Sequence, residues 1–94
     1  MKKLKEEQIT KLLKNLAGWK YKSGSIKKTI TTPGFPQTLG LATAIGVFCQ
    51  QYDHHPDFMT LKYSSVEISF STHSAGGITL KDINIAKEID TLNF

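Results

Sequence analysis

The segment from Gln37 to Tyr52 carries no charged residue, and that narrows the fold more than any other feature of this 94-residue chain. Leu41, Ala44, Ile45, Phe48, Cys49 and Tyr52 recur at helical spacing, which predicts an α-helix over the segment. The opposite face carries Thr38, Thr43, Gly46 and Val47. A helix with no charged face is ordinarily buried on more than one side, and this one is too short and too polar to span a membrane. A chain this small buries only about 60–65 % of its unfolded surface. The second buried side of the helix is therefore expected to belong to another subunit.

The flanking segments alternate between helical and extended patterns. Residues 4–16 predict an amphipathic helix, with Ile9, Leu12, Leu13 and Leu16 on one face and Gly18 as its stop signal. Trp19 to Thr32 predicts a hairpin turning at Ser23-Gly24, although Ile26, Lys28 and Ile30 share a face and so break the alternation. Pro33-Gly34-Phe35-Pro36 interrupts the chain before the uncharged helix. Phe58 to Tyr63 predicts a third strand and Ser64-Ser65 a turn. Val66, Ile68 and Phe70 then alternate with Glu67, Ser69 and Ser71 in a fourth, half-buried strand. After the loop Ser74-Ala75-Gly76-Gly77, Thr79 and Asp82 have capping-box spacing, and Ile85, Ala86, Ile89 and Leu92 supply the apolar face of a last helix. The order α-β-β-α-β-β-α predicts an α+β fold: one domain over residues 1–94, with a four-stranded antiparallel sheet packed by helices in two layers.

The net charge is +4, and every basic residue is a lysine. Residues 1–30 hold nine lysines against Glu6 and Glu7, and the remainder holds three lysines against six acids. With no arginine for bidentate contacts to phosphate or guanine, this basic first third argues against nucleic acid as the partner. Cys49 is the one cysteine, so no intrachain disulfide forms, and its place on the apolar stripe reads as core. Met1 to Lys14 is charged and amphipathic rather than an apolar leader, so the expected location is the cytoplasm.

The chemistry concentrates in three histidines: His54, His55 and His73. Histidine exchanges protons near neutral pH more readily than any other side chain. Adjacent residues on an extended backbone point apart, so His54 and His55 do not have the spacing of a zinc pair, and no metal site is expected. The chain has no G-x-S-x-G elbow and no phosphate-binding glycine pattern. General acid–base work by histidine is what remains.

Residues 50–82 resemble the active-site pattern of the pterin-4a-carbinolamine dehydratase family. That pattern runs His, His or Asn, then Pro, Cys or Ser, followed at fixed intervals by an aromatic residue, a His or Trp, and an Asp. Here His54, His55 and Pro56 are followed after six residues by Tyr63, after nine more by His73 and after eight more by Asp82. Gly18-Trp19, Ser71-Thr72-His73 and Asp82-Ile83-Asn84 extend the likeness over nearly the whole chain. Two positions depart. Gln50 stands where the pattern has a chargeable residue, and Phe58 stands where relatives often carry Trp. The resemblance implies removal of water from a 4a-hydroxytetrahydropterin in tetrahydrobiopterin recycling, with no cofactor and no metal. It implies His54 and His73 as the proton-transfer pair and His55 in binding and hydroxyl activation. Gln50 and Pro56 would contact the pterin. Asp82 either orients a histidine or contacts the pterin ring, or else simply caps the last helix, and Trp19 either lines the pocket or packs in the core. The family forms dimers and tetramers, which implies a homodimer or homotetramer through helix 37–52. Relatives acting as dimerisation cofactors or assembly chaperones make a non-catalytic binding role the alternative.

Overall fold

The computed structural model describes residues 2–93. Three helices, α1 (Glu6–Leu13), α2 (Phe35–Gln51) and α3 (Leu80–Ile89), alternate with four strands, β1 (Lys20–Lys22), β2 (Ser25–Thr31), β3 (Phe58–Lys62) and β4 (Ser65–Phe70). The strands form one antiparallel sheet in the order β1-β2-β4-β3. This is the predicted α+β arrangement.

The register explains which face is covered. Ile26 pairs with Phe70, Lys28 with Ile68 and Ile30 with Val66. These side chains therefore point to one side, where Ile26, Val66, Ile68 and Phe70 are fully buried. Ile83, Ile85, Ala86 and Ile89 of α3 and Leu41 and Ile45 of α2 complete the core over them. The irregularity at Lys28 has a local cause. Its stem runs past Gly18, and its ammonium lies over the Trp19 ring, 5.9 Å from the centroid, and ion-pairs with Asp90 at 3.0 Å. A lysine can occupy an apolar face when its stem is buried and its charge reaches the edge.

Element boundaries differ from expectation in three places. Helix α1 begins at Glu6, and the segment before it is tied to the residues leading into α3, with the Leu4 amide donating to the Ile78 carbonyl at 2.6 Å. It ends at Leu13, and Leu16 lies in the following turn. Helix α2 begins at Phe35, two residues early, with Pro36 in its first turn. A missing N–H costs nothing there, so this proline starts the helix rather than blocking it. The second hairpin turns at Tyr63-Ser64, since Ser65 pairs with Lys62. In the first hairpin Ser23 and Gly24 both have positive φ, +53° and +78°, as a tight turn matched to strand twist requires.

Helix α2 buries one stripe, Thr38, Leu41, Ile45 and Cys49. Thr38 was expected on the opposite face. It is instead fully buried, and its hydroxyl donates toward the Gly34 and Tyr63 carbonyls and pairs with Thr32. Within the single chain the second side of α2 is open, leaving Phe35, Leu39 and Val47 exposed. Burial pushes the Cys49 thiol up from its ordinary value, as suits a core cysteine. None of the described helices is long and apolar enough to cross a membrane.

Candidate active site

The exit of α2 sets the first part of the site. Asp53 adopts the left-handed conformation, φ +49°. The Asp53 amide donates to the Gln50 carbonyl and the His54 amide to the Cys49 carbonyl, at 3.3 and 3.0 Å. This pair of bonds is a Schellman cap with Asp in the position glycine usually takes. The cap turns the chain sharply and delivers His54 inward, while the next residue, His55, is exposed. Adjacent histidines thus diverge, as an extended backbone requires.

His54 is buried and held from two directions. Its ring stacks on Phe70, 5.7 Å between centroids at 21°. Its Nε2 lies 2.5 Å from Oδ1 of Asp82, which is wholly buried. The other Asp82 oxygen accepts from the Thr72 hydroxyl at 2.8 Å and from the Thr79 amide at 2.9 Å. The Thr72 hydroxyl and the Thr79 amide are both donors to this carboxylate, and His54 meets it through Nε2. Nδ1 is the ring nitrogen that Asp82 does not engage. Asp82 thus caps α3 through the Thr79 capping box and also meets the His54 ring.

The second part comes from the end of β4. Thr72 and Gly77 pair across a short bridge, and His73 to Ala75 form a single 3₁₀ turn between them. This turn lifts His73 out of the sheet, leaving its side chain 82 % exposed. Its Nε2 donates to Oδ1 of Asp57 at 2.9 Å. Asp57 also accepts from the hydroxyls of Ser25, Ser69 and Ser71. Burial alone would push the Asp57 carboxyl up, but the hydrogen bonds from Ser71, Ser25, His73 and Ser69 together hold it below the ordinary carboxylate value.

His54, His55, Pro56 and His73 meet at an open cavity of about 310 Å³, together with Asp53, Ser71, Thr72, Ser74 and Lys81. Asp82 lies behind His54. Two residues suggested by the sequence lie elsewhere. Gln50 is exposed on the last turn of α2 and does not line the cavity. Trp19 is buried, packs 6.3 Å from Phe70 and donates its indole N–H to Asp90 at 2.9 Å. It belongs to the core. A larger recess of about 420 Å³, walled by Lys20, Lys22 and Lys27, contains no histidine. Among the described residues no cluster of three or more His, Cys, Asp or Glu could hold a metal ion.

Sequence reasoning missed Asp57, Thr72 and Lys81. Thr72 was quoted only as part of a likeness, and Asp57 directly follows Pro56 without belonging to the spaced pattern. The signal for Asp57 was the alternation Ser69-Phe70-Ser71 at and just beyond the end of β4, which sets the two serines opposite Phe70.

A family profile described as pterin 4 alpha carbinolamine dehydratase matches residues 2–92. The chain belongs to this family. A relative from Aquifex aeolicus, provisionally named pterin-4-alpha-carbinolamine dehydratase, is 37 % identical over 98 % of this chain and 92 % of its own length. Another so named, from Sulfolobus acidocaldarius, is 36 % identical over 96 % and 98 %. Among solved structures, one from Brucella melitensis described as a transcriptional coactivator/pterin dehydratase superposes with a TM-score of 0.89, at 25 % identity over 95 % of this chain and 96 % of that one. A pterin dehydratase-like protein described as a RuBisCO assembly factor in the alpha-carboxysome shares the fold, with a TM-score of 0.65 at 15 % identity over 78 % of this chain and 83 % of that one.

Proposed function

We propose that this chain, acting as one domain, dehydrates a 4a-hydroxytetrahydropterin to a quinonoid dihydropterin and water in tetrahydrobiopterin recycling. The observation that carries the reading is the convergence of His54, His55 and His73 on one cavity, two of them clamped through Nε2 to carboxylates. The reaction removes the 4a-hydroxyl and the proton of the neighbouring ring nitrogen. Hydroxide leaves poorly, so an acid protonates it as the carbon–oxygen bond breaks, and a base accepts the N–H proton. Each positioned donor or acceptor is worth ~10²–10⁴-fold.

His54 and His73 form the proton-transfer pair, each presenting Nδ1 with Nε2 held by a carboxylate. His55 and Pro56, on the cavity wall, contact the substrate and assist departure of the hydroxyl. The residues in hand supply the proton transfers, and the reading invokes neither metal nor organic cofactor. Gln50 and Trp19 have no direct role in this scheme. The exposed α2 face with Phe35, Leu39 and Val47 supports self-association as a homodimer or homotetramer, and the reading places the protein in the cytoplasm.

The reaction is tested by ultraviolet absorbance on freshly generated 4a-hydroxytetrahydropterin, comparing wild type, His73→Ala and no protein. Acceleration by wild type that is largely lost in the variant supports the proposal. No acceleration by a folded protein overturns it. The assembly-factor relative favours, as second reading, a binding role on the same fold. Stable capture of a protein partner by a catalytically silent chain would support that alternative.

A further inference from the structure

Asp57 precedes β3 and is absent from the cavity wall, yet it is the most heavily bonded side chain near it. Oδ2 accepts from Ser25 at 2.8 Å and Ser69 at 2.9 Å. Oδ1 accepts from Ser71 at 2.5 Å and from His73 Nε2 at 2.9 Å. A carboxylate offers about four lone-pair positions, and all are engaged here by groups from β2, β4 and the segment beyond β4. The Asp57 amide adds a fifth tie, donating to the Ser69 carbonyl at 2.7 Å. Rotating this carboxylate breaks several bonds at once.

His73 is the opposite kind of side chain. It is largely exposed, and its ring has no other hydrogen bond among the described residues. A single hydrogen bond at a wet surface ordinarily fixes an imidazole poorly, because the partner is as mobile as the ring. Here the partner is immobile, so the ring takes its orientation and tautomer from Asp57.

We infer that Asp57 is the positioning residue of His73, holding the ring in the Nε2–H tautomer with Nδ1 free toward the cavity through a carboxylate that three serines lock in place. The inference rests on the reading of His73 as a proton-transfer group. It adds the group on which that reading depends, and it makes the β1–β2 hairpin, through Ser25, part of the frame of the site.

A competing view is that the serines and Asp57 merely latch β2 to β3. The two views separate in Asp57→Asn, which is isosteric and keeps one acceptor oxygen, and Ser25→Ala, which removes a latch bond without touching His73. The probes are the ring-nitrogen shifts of His73 by ¹⁵N NMR without substrate, and steady-state kinetics on 4a-hydroxytetrahydropterin. Positioning predicts that Asp57→Asn replaces the single Nε2–H signature with averaged shifts. It also predicts that kcat falls ~10–10²-fold while KM moves less than about threefold. Ser25→Ala, with Ser69 and Ser71 still bonded to the carboxylate, disturbs the His73 shifts less than Asp57→Asn does and lowers kcat by less than about threefold. Unchanged His73 shifts in folded Asp57→Asn overturn the inference, as does an equal disturbance of those shifts by Ser25→Ala. Because the shifts are read without substrate, an Asp57-dependent ring signature in a chain that dehydrates nothing upholds the positioning and overturns only the reaction.

Discussion

The two histidine–carboxylate pairs use the same contact, Nε2 to Oδ1, in opposite surroundings. His54 and Asp82 are 8 % and 0 % exposed, whereas His73 and Asp57 are 82 % and 18 % exposed. The buried pair is also architecture: Asp82 closes the capping box of α3, ties Thr72 at the end of β4 and receives a ring that stacks on the core residue Phe70. The exposed pair hangs from a 3₁₀ turn, and only its carboxylate end is rooted in the sheet. Similar geometry therefore serves different ends. Removing the carboxylate of the buried pair is expected to cost the fold, and changes to the exposed histidine to spare it.

The largest expected effect lies in the buried pair. Asp82→Ala leaves His54, Thr72 and the Thr79 amide without their acceptor. It should cost about 3–5 kcal/mol in denaturant unfolding. A loss under about 1 kcal/mol would show that the buried pair is not structural. His73→Ala should do the reverse, changing stability by less than about 1 kcal/mol while lowering kcat/KM by ~10²-fold or more. A large fall in stability there would erase the distinction between the pairs.

Acid sharpens the comparison further. Asp57 titrates below its ordinary value of 3.8 when folded. The unfolded chain takes up that proton first as pH falls, so the stabilisation from Asp57 is fully present above about pH 4 and is lost as pH falls through the folded value. Unfolding curves from pH 5 to 2 should show a shallower acid loss for Asp57→Asn than for wild type. The smallest effect belongs to the bend that separates His54 from His55. Asp53→Gly relieves a left-handed aspartate and should raise stability by less than about 1 kcal/mol.

Much of this was legible in the residues. The alternation of Val66, Ile68 and Phe70 marks the buried side of β4, the Thr79–Asp82 spacing marks the start of α3, and the three histidines singled out from the sequence come together at one cavity. What stayed hidden depends on contacts between distant parts of the chain. Asp57 reads as a loop acid until the β2–β4–β3 pairing brings Ser25 and Ser69 to it. Trp19 follows a family-like glycine, yet Asp90, far along the chain, takes its N–H and keeps it in the core. Pro36 reads as a breaker because local rules do not reveal whether a proline falls in a first turn or a later one.

The central claim is that the unlike pairs serve one reaction, and a double-mutant cycle on the dehydration rate tests it most directly. His54→Gln, His73→Ala and the double variant are compared with wild type at saturating 4a-hydroxytetrahydropterin. Concerted proton transfer predicts that either single change costs nearly as much as both together. Single variants that retain wild-type rates, or losses that simply multiply, would contradict it.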